Sequence, residues 1–396
     1  MKPKQPPTLD TARTTGIVLI VTMLVGFGWA NSSWQEIYQS VHHLPVHIRF
    51  GPFGLDRPLV WWINEGLMVL FFLLVGLAIK REVLSGHLSS WRAVAVPAVA
   101  AIAGMLVPAA IYLALAGSDP SLRAGWAIPT ATDIVLVLGL LAFLGDRVPA
   151  SLKIFLTALA IFDDIGAVLV IGLFYGHGFA LGPLLFALAT MVVAVVATRF
   201  LRFSWSALVI LSIVLWAAIL QAGIEGAITG VLIGLLVPFE QTRPNRKRSL
   251  VRLETALKPW VFWVVVPVFA LFNTGINIST LGMAALFEPA AQGIILALVL
   301  GKPLGILGGV WVLDHMGLTI RTPAMGWRHI IGASLLAGVG FTMSVFIASI
   351  AFSEHDLVTT SKLAILIASF VAALLGLSVL GLGPTADKPQ PPSTPS

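Results

Sequence analysis

Cysteine is absent from all 396 residues, and with it go disulfide bridges, thiol nucleophiles and Cys-based metal sites. The redox compartment therefore leaves no mark on the chain. Charge is scarce too: Asp, Glu, Lys and Arg supply 11% of the residues, against 58% hydrophobic ones and a mean hydropathy of +0.95. That ratio excludes a water-soluble globular surface. Also missing is the period-2 alternation of a membrane β-barrel, which leaves α-helices as the way to satisfy a backbone in lipid and speaks against a bacterial outer membrane. The net charge of +6 is spread over short loops instead of one basic stripe, so no nucleic-acid partner is expected.

What is present is a succession of apolar runs of about 20 residues, each long enough at about 1.5 Å per residue to cross a hydrocarbon core of about 30 Å. The sequence predicts an all-α membrane protein with twelve spans, at 14–31, 59–80, 93–116, 124–143, 149–176, 182–200, 205–221, 223–237, 258–277, 290–313, 328–352 and 359–381. Together they form one transmembrane domain, 14–381, between a polar tail at 1–13 and a Pro/Ser/Thr-rich tail at 382–396, both read as disordered. The first run is read as a retained helix in preference to a cleaved signal peptide, because it is long and many spans follow.

Lys and Arg on alternate sides give the orientation. Lys80, Arg81, Arg147, Lys153, Arg246, Lys247, Arg248 and Arg328 collect with most others on one side, while the opposite side has Arg49, Arg57, Arg123 and Lys362. Both termini are thereby expected in the cytoplasm. The longest loop on the opposite side contains alternating residues around Gly51-Pro52, which predicts a β-hairpin at about 45–57, with an irregular loop as the alternative.

Several ionisable residues stand inside apolar runs, where a charge costs about 2.5–3.5 kcal/mol on insertion scales. The fifth span carries Asp163 and Asp164 side by side with Gly166 nearby. Adjacent carboxylates repel, so the pair favours either a proton or a cation, a simple proton-versus-cation switch; the bland alternative is a helix end facing water. The fourth span holds Gly125-Trp126-Ala127-Ile128-Pro129-Thr130-Ala131-Thr132-Asp133. Pro129 removes a donor and disfavours helix at Ile128, while Thr132 or Asp133 is suited to cap a second half-helix; a kinked continuous helix is the alternative. Lys302, in the tenth span, needs a carboxylate such as Asp163 or Asp164, or else the carbonyls at the end of a half-helix. The eleventh span is weakened by Gly338 and Gly340. Interrupted spans in equivalent positions of two halves point to the ion site of an inverted-repeat transporter.

Taken together, the 125–133 string, Arg147-Val148-Pro149, Leu159-Ala160-Ile161-Phe162-Asp163-Asp164-Ile165-Gly166-Ala167, Gly301-Lys302-Pro303-Leu304-Gly305-Ile306 and Gly340-Phe341-Thr342-Met343-Ser344 resemble the NhaA-type sodium/proton antiporters of bacterial inner membranes. This family is itself an instance of the inverted-repeat rule. The resemblance implies inverted repeats, crossing discontinuous fourth and eleventh helices, and export of Na+ or Li+ against H+. It implies that Asp163 and Asp164 bind the ion, Asp164 foremost, that Thr132, Asp133 and Lys302 support the crossing, and that the external hairpin serves a homodimer. It also marks Glu82 and Glu254 as pH-response positions, for which solvated loop-edge charges are the alternative. Ala78 and Glu225 depart from the enteric pattern, which carries an acid and a His there, so steep activation by alkaline pH is in question.

The expected protein is thus an electrogenic antiporter and not an enzyme, with no cofactor, and with Na+, Li+, H+ and membrane lipid as its partners. A cation channel or a non-transporting sensor is the rival class. Broken helices and a buried Lys argue against an open pore, and a sensor leaves the buried charges without a purpose.

Overall fold

The computed structural model describes residues 9–50, 53–85, 91–176, 178, 180–199, 205–239, 244–278, 282–318 and 325–382. Expectations for residues 1–8, 383–396 and the Gly51-Pro52 turn lie outside that set. Among the described residues, ten helices are long and apolar enough to cross a membrane. The shorter apolar helices Trp205–Gln221 and Ile228–Leu236 fall where the seventh and eighth spans were expected. The first helix starts at Leu9, inside the stretch read as tail.

Three features differ from the sequence reading. The ninth helix begins at Pro244, well before the apolar run, because its polar first half is amphipathic and buries Leu250 and Glu254 against the protein. A short helix, Gln35–His42, lies in the long loop between the first and second spans, anchored by Tyr38, whose hydroxyl shares its one proton between the main-chain oxygens of Leu271 (3.0 Å) and Phe272 (2.9 Å). Wider π-type turns interrupt the second, ninth and tenth spans at Trp62–Leu67, Val261–Val265 and Ala297–Gly301. The last of these comes immediately before Lys302, and such turns concentrate at functional positions.

The hairpin forms as expected. Strand β1 (Pro45–Phe50) pairs antiparallel with β2 (Phe53–Pro58), placing Ile48 opposite Leu55 and Val46 opposite Arg57. His47 Nδ1 and Asp56 Oδ1, on residues also opposite each other, lie 2.5 Å apart in an exposed contact.

Burial separates the spans into a centre and a rim. In the eleventh and fourth spans 89% and 78% of the apolar window is buried, against 22% in the first and sixth, so the two irregular spans sit in protein and not in lipid. Non-helical backbone at membrane depth is tolerated only there.

Close packing depends on small residues where helices touch. A Cβ on Gly76 would come within 2.6 Å of the Val231 oxygen, and one on Gly234 within 2.8 Å of the Leu77 nitrogen, so the second and eighth helices meet backbone to backbone. Gly76→Val is expected to destabilise the protein by about 1–3 kcal/mol, read as a lower melting temperature in detergent. Gly28→Ala, where a Cβ meets open space, should leave the melting temperature unchanged or slightly higher. Equal losses for both would refute the packing argument.

Candidate functional site

The fourth span consists of a 3-10 helix, Arg123–Thr130, an extended link at 131–133, and an α-helix, Ile134–Leu144. Pro129 predicts a break by acting on Ile128, but both residues stay within the 3-10 helix and the helical backbone is interrupted just after them, at 131–133. The eleventh span divides into Trp327–Ala337 and Phe341–Ala351 around Gly338 and Gly340. The two interruptions touch: the Asp133 amide donates to the Val339 oxygen at 2.8 Å, and the Thr132 hydroxyl donates to the Ala337 oxygen at 2.9 Å. Each break therefore satisfies backbone groups that the other leaves open.

Asp133 caps the Ile134–Leu144 helix as expected, its Oδ1 accepting from the Leu136 amide at 3.0 Å. Its Oδ2 accepts from the Thr342 amide at 3.1 Å, in the first turn of the Phe341–Ala351 helix. One carboxylate thus sits at the positive ends of two half-helices.

The Lys302 ammonium has 0% exposure and lies 2.7 Å from Asp163 Oδ2. It also donates to the Thr130 main-chain oxygen, so both partners considered from the sequence, a carboxylate and a half-helix carbonyl, are engaged at once. The same Thr132 hydroxyl also lies 2.6 Å from Asp163 Oδ2, so its one proton is shared between that oxygen and the Ala337 carbonyl. Asp163 Oδ1 is enclosed and meets no hydrogen-bond donor among the described residues.

Asp164 differs from its neighbours. Its carboxyl makes no hydrogen bond to a described residue, although Asp163, Asp133 and Lys302 are close enough to act on it through charge. Counting charge follows directly. Asp133 is offset by two helix ends and Asp163 by Lys302, which leaves the buried carboxyl of Asp164 without a partner that would offset its charge if ionised. A helix-end reading of the acid pair fails, since both residues fall within the continuous helix Ala150–Phe174 and are buried.

Glu82 and Glu254 are brought together elsewhere. Arg81 bridges them at 2.9 and 3.0 Å, and Lys258 approaches Glu254 at 2.8 Å. With 2% exposure, Glu254 is not a solvated loop-edge charge.

Two features went unrecognised in the sequence. Glu65, buried in the Trp62–Leu67 turn, accepts from the Gly226 amide at 3.0 Å; an acid a few residues inside an apolar run was the available signal. Lys362 donates to Asn273 Oδ1 at 3.1 Å, and Asn273 Nδ2 donates to Asn64 Oδ1 at 2.9 Å. The sequence distinguished Lys362 only as a cation on the sparse side.

A multi-pass membrane protein with buried acids and a buried Lys at the junction of two broken helices has the build of an ion-coupled transporter. The chain belongs to the Na+/H+ antiporter 1 family, whose sequence model matches residues 7–380. It is 45% identical over 372 residues to the Na(+)/H(+) antiporter NhaA of Maricaulis maris, covering 94% of this chain and 92% of that protein. The NhaA antiporter of Rhodospirillum rubrum is 43% identical over 385 residues, with 94% and 95% covered. A solved sodium proton antiporter from Methanocaldococcus jannaschii superposes with a TM-score of 0.44 at 16% identity, covering 95% of this chain and 98% of that one, a likeness too loose to carry an argument.

Removing one member of a buried ion pair costs about 3–5 kcal/mol, whereas removing both together costs far less. Lys302→Ala is expected to lower the melting temperature sharply, and adding Asp163→Asn should restore most of the loss. A double variant no more stable than Lys302→Ala would show that the ion pair is not what holds the junction.

Proposed function

We propose that the protein exchanges Na+ or Li+ for H+ across a bacterial inner membrane, with Asp163 and Asp164 holding either protons or the metal ion. The observation that carries this reading is the uncompensated carboxyl of Asp164 beside the free Oδ1 of Asp163. Hard alkali cations prefer oxygen ligands, and two carboxylates, with water and carbonyls freed by a helix break, supply them.

In this reading twelve helices form two inverted repeats, the fourth and eleventh crossing at their interruptions, with both termini cytoplasmic. Na+ arriving from the cytoplasm displaces protons from the acid pair. As the ion draws on Asp163, its attraction competes with that of the Lys302 ammonium, so loading loosens the tie between the fifth and tenth spans. The loaded assembly rocks to the outside, releases Na+, takes up protons and returns. More protons than ions cross per cycle, which makes exchange electrogenic. Asp133 and Thr132 hold the junction, and the external hairpin pairs two copies into a dimer.

Glu82, Arg81, Glu254 and Lys258 link the second and ninth helices at the cytoplasmic end and are assigned to pH response. With Ala78 and Glu225 departing from the enteric pattern, activation by alkaline pH should be shallower or displaced. A buried Lys302 held by the Asp163 carboxylate and the Thr130 carbonyl is poorly suited to an open channel.

Everted membrane vesicles loaded with a pH-quenched dye test the assignment. Na+ or Li+ should dequench the dye with the wild-type chain and fail to do so with Asp164→Asn, at matched amounts of folded protein. Undiminished dequenching by Asp164→Asn would remove the acid pair from the mechanism.

A further inference from the structure

Under the external hairpin lies a cavity of about 1220 Å³ that the exchange cycle does not use. Arg57, Trp61, Trp62, Trp216, Glu65 and Glu225 supply its polar and aromatic wall. The three indoles cluster, with ring centroids 5.3 to 6.4 Å apart, and the Arg57 guanidinium stands 5.6 Å over the Trp61 ring. Tryptophan gathered in this way marks the depth of lipid headgroups. Beside it the wall continues through Phe186 and Ile213, which are 58% and 61% exposed on the apolar rim. The cavity therefore runs from headgroup depth toward acyl-chain depth.

Two enclosed polar atoms in this wall lack partners. Trp62 Nε1 has no acceptor among the described residues, and Glu225 Oε1 meets no N–H or hydroxyl donor among them. An orphaned donor and an orphaned acceptor just behind the wall of one space are each costly, by about 1–3 kcal/mol, unless a group seated there reaches them. Glu65 does not relieve Glu225 by donating an N–H. Its own carboxyl accepts from Gly226, and its main-chain oxygen accepts from Trp216 Nε1 at 3.2 Å. The two Glu carboxyls lie within hydrogen-bonding reach of each other, so an ammonium brought to this wall would meet both acids.

The cavity thus calls for an anionic acceptor near Arg57 and Trp62, a cationic N–H donor near Glu225, and an apolar body along Phe186 and Ile213. A bare alkali ion satisfies only the acids. A small organic ammonium leaves the Arg57 side unmatched and underfills a space larger than the roughly 300–1,000 Å³ of drug-sized pockets. We propose that this cavity binds a phospholipid with a phosphoethanolamine headgroup, its phosphate on Arg57 and Trp62, its ammonium on the Glu65–Glu225 pair, and an acyl chain along the rim. Phosphocholine keeps the phosphate and the positive charge but has no N–H to donate. Phosphoglycerol has no cation.

Full-length protein stripped of lipid in detergent tests this, with dioleoyl phosphatidylethanolamine, phosphatidylcholine and phosphatidylglycerol added in turn and binding followed by native mass spectrometry and melting temperature. Phosphatidylethanolamine should bind at least about tenfold more tightly than phosphatidylcholine, the difference a charge-assisted hydrogen bond makes. Glu225→Gln should erase that preference. Trp62→Phe should weaken both lipids alike while keeping the ratio, and stands as the milder variant if Glu225→Gln folds poorly. Equal binding of the three lipids by the wild-type chain would overturn the proposal, and so would stabilisation by ethanolamine alone as strong as by the whole lipid. Asp164→Asn should keep the full lipid preference, so loss of exchange and loss of lipid selection are separable results.

Discussion

Everything at the centre of this protein depends on the contact between the Lys302 ammonium and the Asp163 carboxylate, 2.7 Å apart with no exposure to solvent to speak of. Neither ion could be held alone at that depth, because desolvation of each costs several kcal/mol. The pair is tolerable only because further polar groups complete it: the Thr132 hydroxyl on Asp163 and the Thr130 carbonyl on Lys302. Those groups are available only because the fourth helix is broken. A continuous helix would have spent the Thr130 oxygen on its own ladder.

The two interruptions have the same logic seen from the backbone. Four half-helix ends meet in a water-poor space, two with free amides and two with free carbonyls. Asp133 meets the amide ends through Leu136 and Thr342, while Lys302 and Thr132 meet carbonyls of Thr130 and Ala337. Fixed side-chain charges and backbone dipoles thereby neutralise one another everywhere except at Asp164. In the proposed exchange, that unpartnered carboxyl is where a proton or an alkali ion is needed, and changing its occupant alters the balance of the whole junction. A protein can turn so small a chemical difference into movement because packed helices adopt discrete arrangements and do not deform continuously.

How much of this was legible depended on whether the signal was local. Apolar runs located the membrane helices, and Pro129, Gly338 and Gly340 located the breaks, since each acts on its own backbone. Lys302 declared its need for a partner through composition alone, although the choice between carboxylate and carbonyl was settled only by geometry, which provides both. The π-type turn before Lys302 left no trace in sequence, being a product of packing. The polar half of the ninth helix was hidden for the opposite reason: its Arg and Lys content resembles a loop until Glu254 is seen paired to Arg81 and Lys258. Asn64 and Asn273 are ordinary residues whose link spans 209 positions of chain, and no local reading joins them.

The most direct measurement is of protons released when Na+ is added to purified protein in a weakly buffered detergent solution near neutral to alkaline pH. If the acid pair holds one kind of cation at a time, Na+ must expel protons to bind, and the solution must acidify in proportion to occupancy. Binding of Na+ with no change in proton content would contradict the account at its root.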